Sequence, residues 1–172
     1  MRSTIEIDIS APPDLVFALA HDVERWAKLL PHYARSRAVE RGSDDSVTVD
    51  FIARRSALGL LGDAVGFGIP VTWRARTWNE PATDRLRFVH VAGATKGMDV
   101  TWRIEAVDGG SRVSIDHDFR PRLPLFAAFV DRAFTRPIAG RTLASFKALA
   151  EALADTPPLN QSRTPETTNP KT

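Results

Sequence analysis

Apolar and polar residues alternate with a period of two along much of the first 120 residues. The clearest case is the stretch from Thr4 to Ile9, which puts Ile5, Ile7 and Ile9 on one face and polar side chains on the other. Similar alternation follows near residues 34–41, 47–54, 69–78, 85–90, 98–106 and 112–119. Turn-forming residues separate these segments, as in the Asp-Gly-Gly-Ser run at 108–111. The pattern predicts consecutive antiparallel strands with one buried face.

Helical spacing of apolar residues occurs at two places. After the first strand it predicts two short helices, at about residues 13–20 and 23–30. The longest helical stretch runs from Leu125 to Leu153, with Phe126 and Phe129 on its apolar side. Pro137 and Gly140 lie inside that stretch and predict a kink or break there.

The order of elements predicts an α+β fold in one domain. We expect a curved antiparallel sheet of about six to seven strands around a long C-terminal helix, with two short helices after strand 1. Such an arrangement predicts an internal hydrophobic cavity, and the apolar, glycine-containing stretch 56–68 would then be a loop or short helix at its entrance. The domain should span residues 1–154, and residues 155–172, rich in Pro and Thr, should form a disordered C-terminal tail.

The composition of the chain argues against several classes of function. The chain has no cysteine, a formal net charge of only +2, and arginines scattered rather than gathered on one face, so we expect no disulfide and no nucleic-acid partner. The four histidines lack the spacing of metal ligands, which predicts no metal site. No apolar run reaches the length of a signal peptide or a membrane span, so we expect a cytoplasmic protein.

Three stretches together resemble a known superfamily. They are SAPPDLVFALAHDVERWAKLLPHYARSRAVE from Ser10, DHDF at Asp116 to Phe119, and PIAGRTLASFKALAE from Pro137. Over about residues 3–153 the chain resembles the START-like superfamily, also called helix-grip or SRPBCC, and within it the polyketide cyclase/dehydrase group. The resemblance implies a helix-grip fold and a hydrophobic small-molecule ligand, with no cofactor required.

Candidate catalytic residues come from the strand pattern and from the resemblance. His90 and His117 fall on the apolar faces of their strands, where a histidine can exchange a proton near neutral pH. Trp26, Leu29 and Tyr33 match a W-x-x-L-x-x-x-Y-like stretch that, in the aromatase/cyclases of the group, puts a tyrosine at the pocket mouth. The candidate catalytic set is therefore Tyr33, His90 and His117. The alternative for each is a structural one, a hydrogen-bonded core histidine or a packed tyrosine.

Candidate ligand-binding residues are large or polar side chains on the same predicted faces. They are Trp26, Phe51, Trp73, Thr77, Phe88, Trp102, Phe126 and Phe129. The aromatase/cyclases also present an inward arginine on a later strand, and the equivalent strand here carries Arg74 and Arg76 on the face opposite to Trp73. A one-residue bulge would turn Arg76 inward, so Arg76 is a candidate anchor for a carbonyl or a carrier phosphate.

Two main functions remain open from the sequence, and a third, lesser one is a surface adaptor that uses the basic C-terminal helix. The first is catalysis of aldol cyclisation and dehydration of a polyketide, either free or bound to an acyl carrier protein. The second is non-catalytic binding and transfer of a lipid or quinone, because the LLPHY stretch also resembles the coenzyme-Q-binding branch of the superfamily. Either function predicts a hydrophobic small-molecule partner, and we expect a monomer or a homodimer.

Overall fold

The alternating segments form one antiparallel sheet. A computed structural model describes residues 1–56, 68–80, 83 and 85–156. The seven strands are β1 (Arg2–Ile9), β2 (Tyr33–Arg41), β3 (Val47–Ser56), β4 (Gly68–Glu80), β5 (Arg85–Gly93), β6 (Asp99–Val107) and β7 (Gly110–Asp118). Their spatial order is β1-β7-β6-β5-β4-β3-β2, so β2 to β7 form a meander and β1 pairs with β7. The predicted six to seven antiparallel strands are confirmed.

Turn chemistry sets the strand ends as the sequence predicts. Asp108 and Gly109 connect β6 to β7, and Gly109 has φ 78° in the left-handed region that glycine adopts without steric cost. Asp45, with φ 58°, lies in the turn between β2 and β3. An irregularity occurs where Arg74 pairs with Ala92 but Ala75 pairs with His90, so Val91 is the extra residue. This bulge therefore lies in β5 and leaves the alternation of β4 intact.

Helices cover one face of the sheet. Helix α1 (Pro13–His21) is followed by a 3₁₀ turn (Val23–Arg25) and by the short α2 (Trp26–Leu29), in agreement with the two predicted short helices. The C-terminal run consists of α3 (Pro124–Val130), a π-helical turn (Asp131–Thr135) and α4 (Arg136–Ala154). Helix α4 packs against β1 and α1.

The C-terminal helix departs from the sequence prediction in one respect. The predicted break at Pro137–Gly140 is wrong, because α4 continues through Gly140. The irregularity comes earlier, as the π turn that ends at Thr135, and Pro137 lies in the first turn of α4. A proline there needs no backbone donor, and the wider π turn ahead of it gives its ring room.

The core lies between the inward face of the sheet and the helices. Its largest fully buried side chains include Phe51 and Leu86 from the sheet, Leu30 after α2, and Leu143 and Phe146 from α4. Within the described ranges, no helix combines the length and the apolar character needed to cross a lipid bilayer. The predicted loop at 56–68 and the predicted tail at 155–172 lie almost wholly outside the described residues, so both stay predictions.

Candidate functional site

A pocket of about 90 Å³ lies between the concave face of the sheet and the C-terminal helical run. Its apolar wall consists of Trp26, Phe51, Val71, Trp73, Phe88, Met98, Val100, Trp102, Ile115, Phe134, Ile138 and Ala139. The polar side chains that reach it are Tyr33, His90, Thr95, His117, Thr135 and Thr142. None of these described lining residues is Asp, Glu, Lys or Arg, so the pocket is apolar with a few hydrogen-bonding groups, as small-molecule sites usually are.

Trp26 is at the centre of the aromatic wall. Its ring centroid lies 5.4 Å from those of Tyr33 and Trp102, and 5.7 to 5.8 Å from those of Phe51 and Phe88. The indole Nε1 donates to the Ala20 carbonyl oxygen at 3.0 Å, so its one polar atom is satisfied inside the protein. Packing of this kind gives rigid, flat surfaces on which a planar ligand can stack.

His90 reaches the pocket from β5. Its ring stacks on Trp73 at 6.0 Å between centroids, and its Nδ1 lies 2.6 Å from the Thr95 Oγ1. Burial, together with a smaller effect of the nearby His117, lowers the pKa of His90 to about 3. The imidazole is therefore neutral at neutral pH.

His117 reaches the pocket from β7 and is 7% exposed. Burial lowers the pKa of His117 to about 4, although the charge of Asp131 and a backbone hydrogen bond with Ser3 act in the opposite direction. Its Nδ1 is buried and has no hydrogen-bond partner among the described residues. Buried polar atoms without a partner are uncommon, so this nitrogen is a candidate to bind a ligand group.

A buried carboxylate, that of Asp131, lies close enough to His117 to act on it through its charge. Asp131, in the π turn, accepts hydrogen bonds from the Ser3 Oγ at 2.8 Å and from the Arg136 Nε at 2.8 Å. These contacts join β1, the π turn and α4 at one end of the pocket. Asp131 therefore acts on His117 through its charge while both of its oxygens are already bonded.

Tyr33 belongs to a second buried network. Thr142 Oγ1 donates to the Ile138 carbonyl oxygen at 2.9 Å and lies 3.0 Å from the His32 Nε2. Burial raises the pKa of Tyr33 above its ordinary value, and a hydrogen bond with the Thr142 side chain offsets part of that rise. The Tyr33 hydroxyl therefore keeps its proton at all ordinary pH values.

The structure brings together most of the residues proposed from the sequence. Eight of them line the pocket: Trp26, Tyr33, Phe51, Trp73, Phe88, His90, Trp102 and His117. Thr77 is buried but does not line it. Phe126 and Phe129 lie on the surface of α3, 38% and 57% exposed. The sequence therefore located the aromatic wall and both pocket histidines.

Arg76 points away from the pocket. Its guanidinium pairs with Asp44, and its Nε donates to the Ser46 Oγ at 2.9 Å on the outer side of the sheet. A bulge in β4 would be needed to turn Arg76 inward, but the bulge between β4 and β5 lies in β5. Arg76 therefore keeps the outward position given by strict alternation in β4. The described pocket lining contains no arginine.

Sequence reasoning missed several polar residues of the site. They are Ser3, His32, Thr95, Asp131, Thr135 and Thr142. For Thr142 a signal was present, because it lies at helical spacing between Ala139 and Phe146 on the apolar side of α4. For Asp131 and Ser3 there was no local signal, since 128 positions separate them in the chain.

Comparisons with known proteins agree with this architecture. Residues 1–153 match the family model described as polyketide cyclase/dehydrase and lipid transport. A Streptomyces cyaneus protein described as a candidate polyketide cyclase is 30% identical over 128 residues, which are 70% of this chain and 74% of that protein.

Two solved structures share the fold at low sequence identity. The Zhui aromatase/cyclase from Streptomyces sp. R1128 superposes with a TM-score of 0.70 at 18% identity, over 88% of this chain and 93% of that one. A START superfamily protein from Mycobacterium smegmatis superposes with a TM-score of 0.66 at 12% identity, over 88% of this chain and 98% of that one.

Proposed function

This chain belongs to the polyketide cyclase/dehydrase and lipid transport family, and from that membership we propose that it binds a polyketide-like small molecule and promotes its aldol cyclisation and dehydration. One observation carries the proposal: two neutral histidines, His117 buried and His90 partly buried, and a protonated tyrosine reach a largely apolar, aromatic-lined pocket. The substrate would be a chain of alternating carbonyl and methylene groups, either free or bound to an acyl carrier protein.

The proposed reaction needs only proton transfers. A methylene between two carbonyls loses a proton, and the enolate carbon then attacks another carbonyl carbon of the same chain to form a C–C bond. The resulting alkoxide takes up a proton. Loss of a neighbouring C–H proton together with the hydroxyl group then forms a C=C bond and one water. No oxidant or reductant takes part, so suitably placed donors and acceptors are sufficient.

His117 is our first choice for the proton-transfer group. Its Nδ1 is buried beside the pocket without a described protein partner, so this nitrogen can bond to the substrate without breaking an existing hydrogen bond. Because burial lowers the pKa of His117 to about 4, the imidazolium formed after proton abstraction would be a strong acid. It would return its proton readily to the alkoxide or to the departing hydroxyl group.

The low pKa also weakens His117 as a base, so abstraction needs help from stabilisation of the enolate. The hydroxyls of Tyr33 and Thr135 are uncharged groups at the pocket wall that can donate to a developing oxyanion, whereas the Thr142 hydroxyl already donates to the Ile138 carbonyl oxygen. Trp73 lines the pocket beside Phe51 and His90, so its side chain can contact the flat product.

Non-catalytic transport of a lipophile is the second candidate, and the same pKa shifts favour it. With pKa values of about 3 and 4, His90 and His117 are poor bases at neutral pH but good hydrogen-bonding groups for a carbonyl or hydroxyl of a bound molecule. In this alternative the quinone or lipid would leave the pocket unchanged.

Reconstitution with a minimal polyketide synthase tests the catalytic proposal. We expect the protein to change the ring pattern of the products, His117→Gln to abolish the change, and Trp78→Phe, on the outer face, to preserve it. An unchanged product profile with folded protein would overturn catalysis. Native mass spectrometry of the same sample then tests transport, which requires a bound lipophile that His117→Gln retains.

A further inference from the structure

The segment around α3 exposes large apolar side chains to solvent. Leu123 is 70% exposed, Leu125 87%, Phe126 38% and Phe129 57%. These four residues, which we call the α3 patch, lie within seven positions of the chain, whereas the other large exposed apolar residues of the described ranges are spread over four separate elements or their ends. A concentration of this kind marks an interaction surface.

The charges that accompany the α3 patch are positive. Arg122 and Arg132 are exposed and have no ion-pair partner among the described residues, whereas Arg120 pairs with Asp118. The one acidic residue between positions 119 and 136 is Asp131, which is buried and bonded to Ser3 and Arg136. Leu125 and Phe129 lie at i and i+4 on one side of α3, and Arg122 and Arg132 flank this helix in the chain.

The α3 patch adjoins the wall of the pocket. The Phe129 ring lies 5.7 Å from the Phe134 ring in an edge-to-face contact, and Phe134 lines the pocket. The guanidinium of Arg55 lies 5.7 Å from the centre of the same Phe134 ring. An apolar path therefore leads from the exposed patch to the pocket lining, with positive charge on more than one side of it.

We infer that the α3 patch docks the protein on the surface of an anionic phospholipid bilayer. Leucine and phenylalanine side chains that project from a helix can enter the boundary between headgroups and acyl chains, and arginines beside them can bind phosphate groups. A protein partner would need a groove shaped to these projecting side chains, whereas a fluid bilayer accepts them as they are. The inference goes beyond the proposed function, because it concerns where the protein acts and holds whether or not it is a catalyst.

Flotation with lipid vesicles tests the inference directly. The full chain should float with vesicles of phosphatidylcholine mixed with phosphatidylglycerol, and much less with phosphatidylcholine alone. Because each arginine near an anionic surface contributes about 1 kcal/mol, the double variant Arg122→Gln/Arg132→Gln should bind at least about tenfold more weakly. The double variant Leu125→Ser/Phe129→Ser should lose binding to a similar or greater degree.

Matched controls exclude general effects of the substitutions. Val39→Ser removes an exposed apolar side chain from β2, and Lys28→Gln removes an exposed charge from α2; both should float like the wild type. Circular dichroism should show every variant folded. Equal flotation with neutral and anionic vesicles, or unchanged flotation of both double variants, would overturn the inference. Absence of flotation of the wild type would overturn it as well. If Leu125→Ser/Phe129→Ser then abolished self-association or binding to an acyl carrier protein, the α3 patch would bind protein instead of lipid.

Discussion

At the scale of single residues, burial decides the chemistry of the site. His90 and His117 lie in a pocket without acidic or basic lining residues, and removing them from water costs more for the charged ring than for the neutral one. Burial therefore lowers the pKa of both histidines, to about 3 and about 4. The nearby Asp131 opposes this effect at His117 but does not overcome it.

The pH dependence of the protein's stability should reflect the lowered pKa of His117. In the unfolded chain the histidine has a pKa near 6.5, so between pH 6.5 and 4 the unfolded state binds a proton that the folded state does not. The free energy of unfolding should therefore fall as the pH is lowered through this window. For His117 the fall between pH 7 and pH 4.5 should be about 2 kcal/mol.

Chemical denaturation of the wild type and of His117→Gln at the two pH values measures this contribution. The variant lacks the titrating group, so its loss of stability on acidification should be about 2 kcal/mol smaller. His21→Gln, at an exposed position on α1, is the matched control and should follow the wild type. Parallel pH profiles for His117→Gln and the wild type would show that His117 titrates normally.

Thr142 is hydrogen-bonded to two buried side chains. Removing its hydroxyl should therefore lower the free energy of unfolding more than removing the Tyr33 hydroxyl alone. Thr142→Val removes one hydrogen-bond partner from each of His32 and Tyr33, which should lower the free energy of unfolding by about 1 to 3 kcal/mol. Tyr33→Phe removes one hydroxyl and keeps the ring packing, so about 1 kcal/mol is expected.

Urea denaturation of both variants measures the difference. Thr48→Val, a half-buried position on the outer side of the sheet, is the control and should change stability by no more than about 0.5 kcal/mol. If Thr142→Val proved no more costly than Thr48→Val, Thr142 would not be the centre of a network.

At the scale of elements, the two helices of the C-terminal run differ in how many side chains they bury against the rest of the protein. Helix α4 buries Ala139, Thr142, Leu143, Phe146 and Ala150, whereas the side chains described in α3 include two buried ones, Ala127 and Val130. The π turn between them is held to β1 through the bond from Ser3 to Asp131. The π turn carries Phe134 and Thr135, which form one wall of the pocket.

Hydrogen exchange should show the division. Amides of residues 124–135 should exchange at least about tenfold faster than those of residues 139–150, because few apolar contacts resist local opening of α3. Ser3→Ala should speed exchange in the π turn further, whereas Thr4→Ala, on the same strand, should leave it unchanged. Uniform protection along the whole run would contradict this account.

Local sequence patterns predicted the strands well, since alternation with period two is a property of neighbouring residues. The same alternation predicted the inward faces of His90 and His117 and the outward face of Arg76. Helical spacing failed for Phe126 and Phe129, where the structure buries Ala127 and Val130 instead. Each extra residue in a π turn shifts the phase of a helix by about 100°, so periodicity carried through it does not hold. The contact between His32 and Thr142 spans 110 positions and follows only from the assembled fold.

At the scale of the whole molecule, the size of the pocket sets a condition on function. Its volume is about 90 Å³, whereas pockets for drug-sized ligands have roughly 300 to 1,000 Å³. A polyketide or quinone can therefore bind only if part of the wall moves. The π turn supplies Phe134 and Thr135 to the wall and follows α3, whose described residues bury only Ala127 and Val130, so we expect this segment to move outward when a ligand enters.

Tryptophan fluorescence tests the central claim that this pocket binds a flat, hydrophobic molecule. Trp26, Trp73 and Trp102 line the pocket, and the fourth tryptophan, Trp78, packs beside Arg87 outside it. Titration with a hydroxylated anthraquinone should quench most of the emission, and Trp78→Phe should leave the quenching unchanged. Ala139→Phe, which fills the pocket, should weaken binding at least about tenfold by steric exclusion. Ala144→Phe, on the exposed side of the same helix, should bind like the wild type. An absence of quenching in the wild type, or equal affinity of Ala139→Phe and the wild type, would contradict the account.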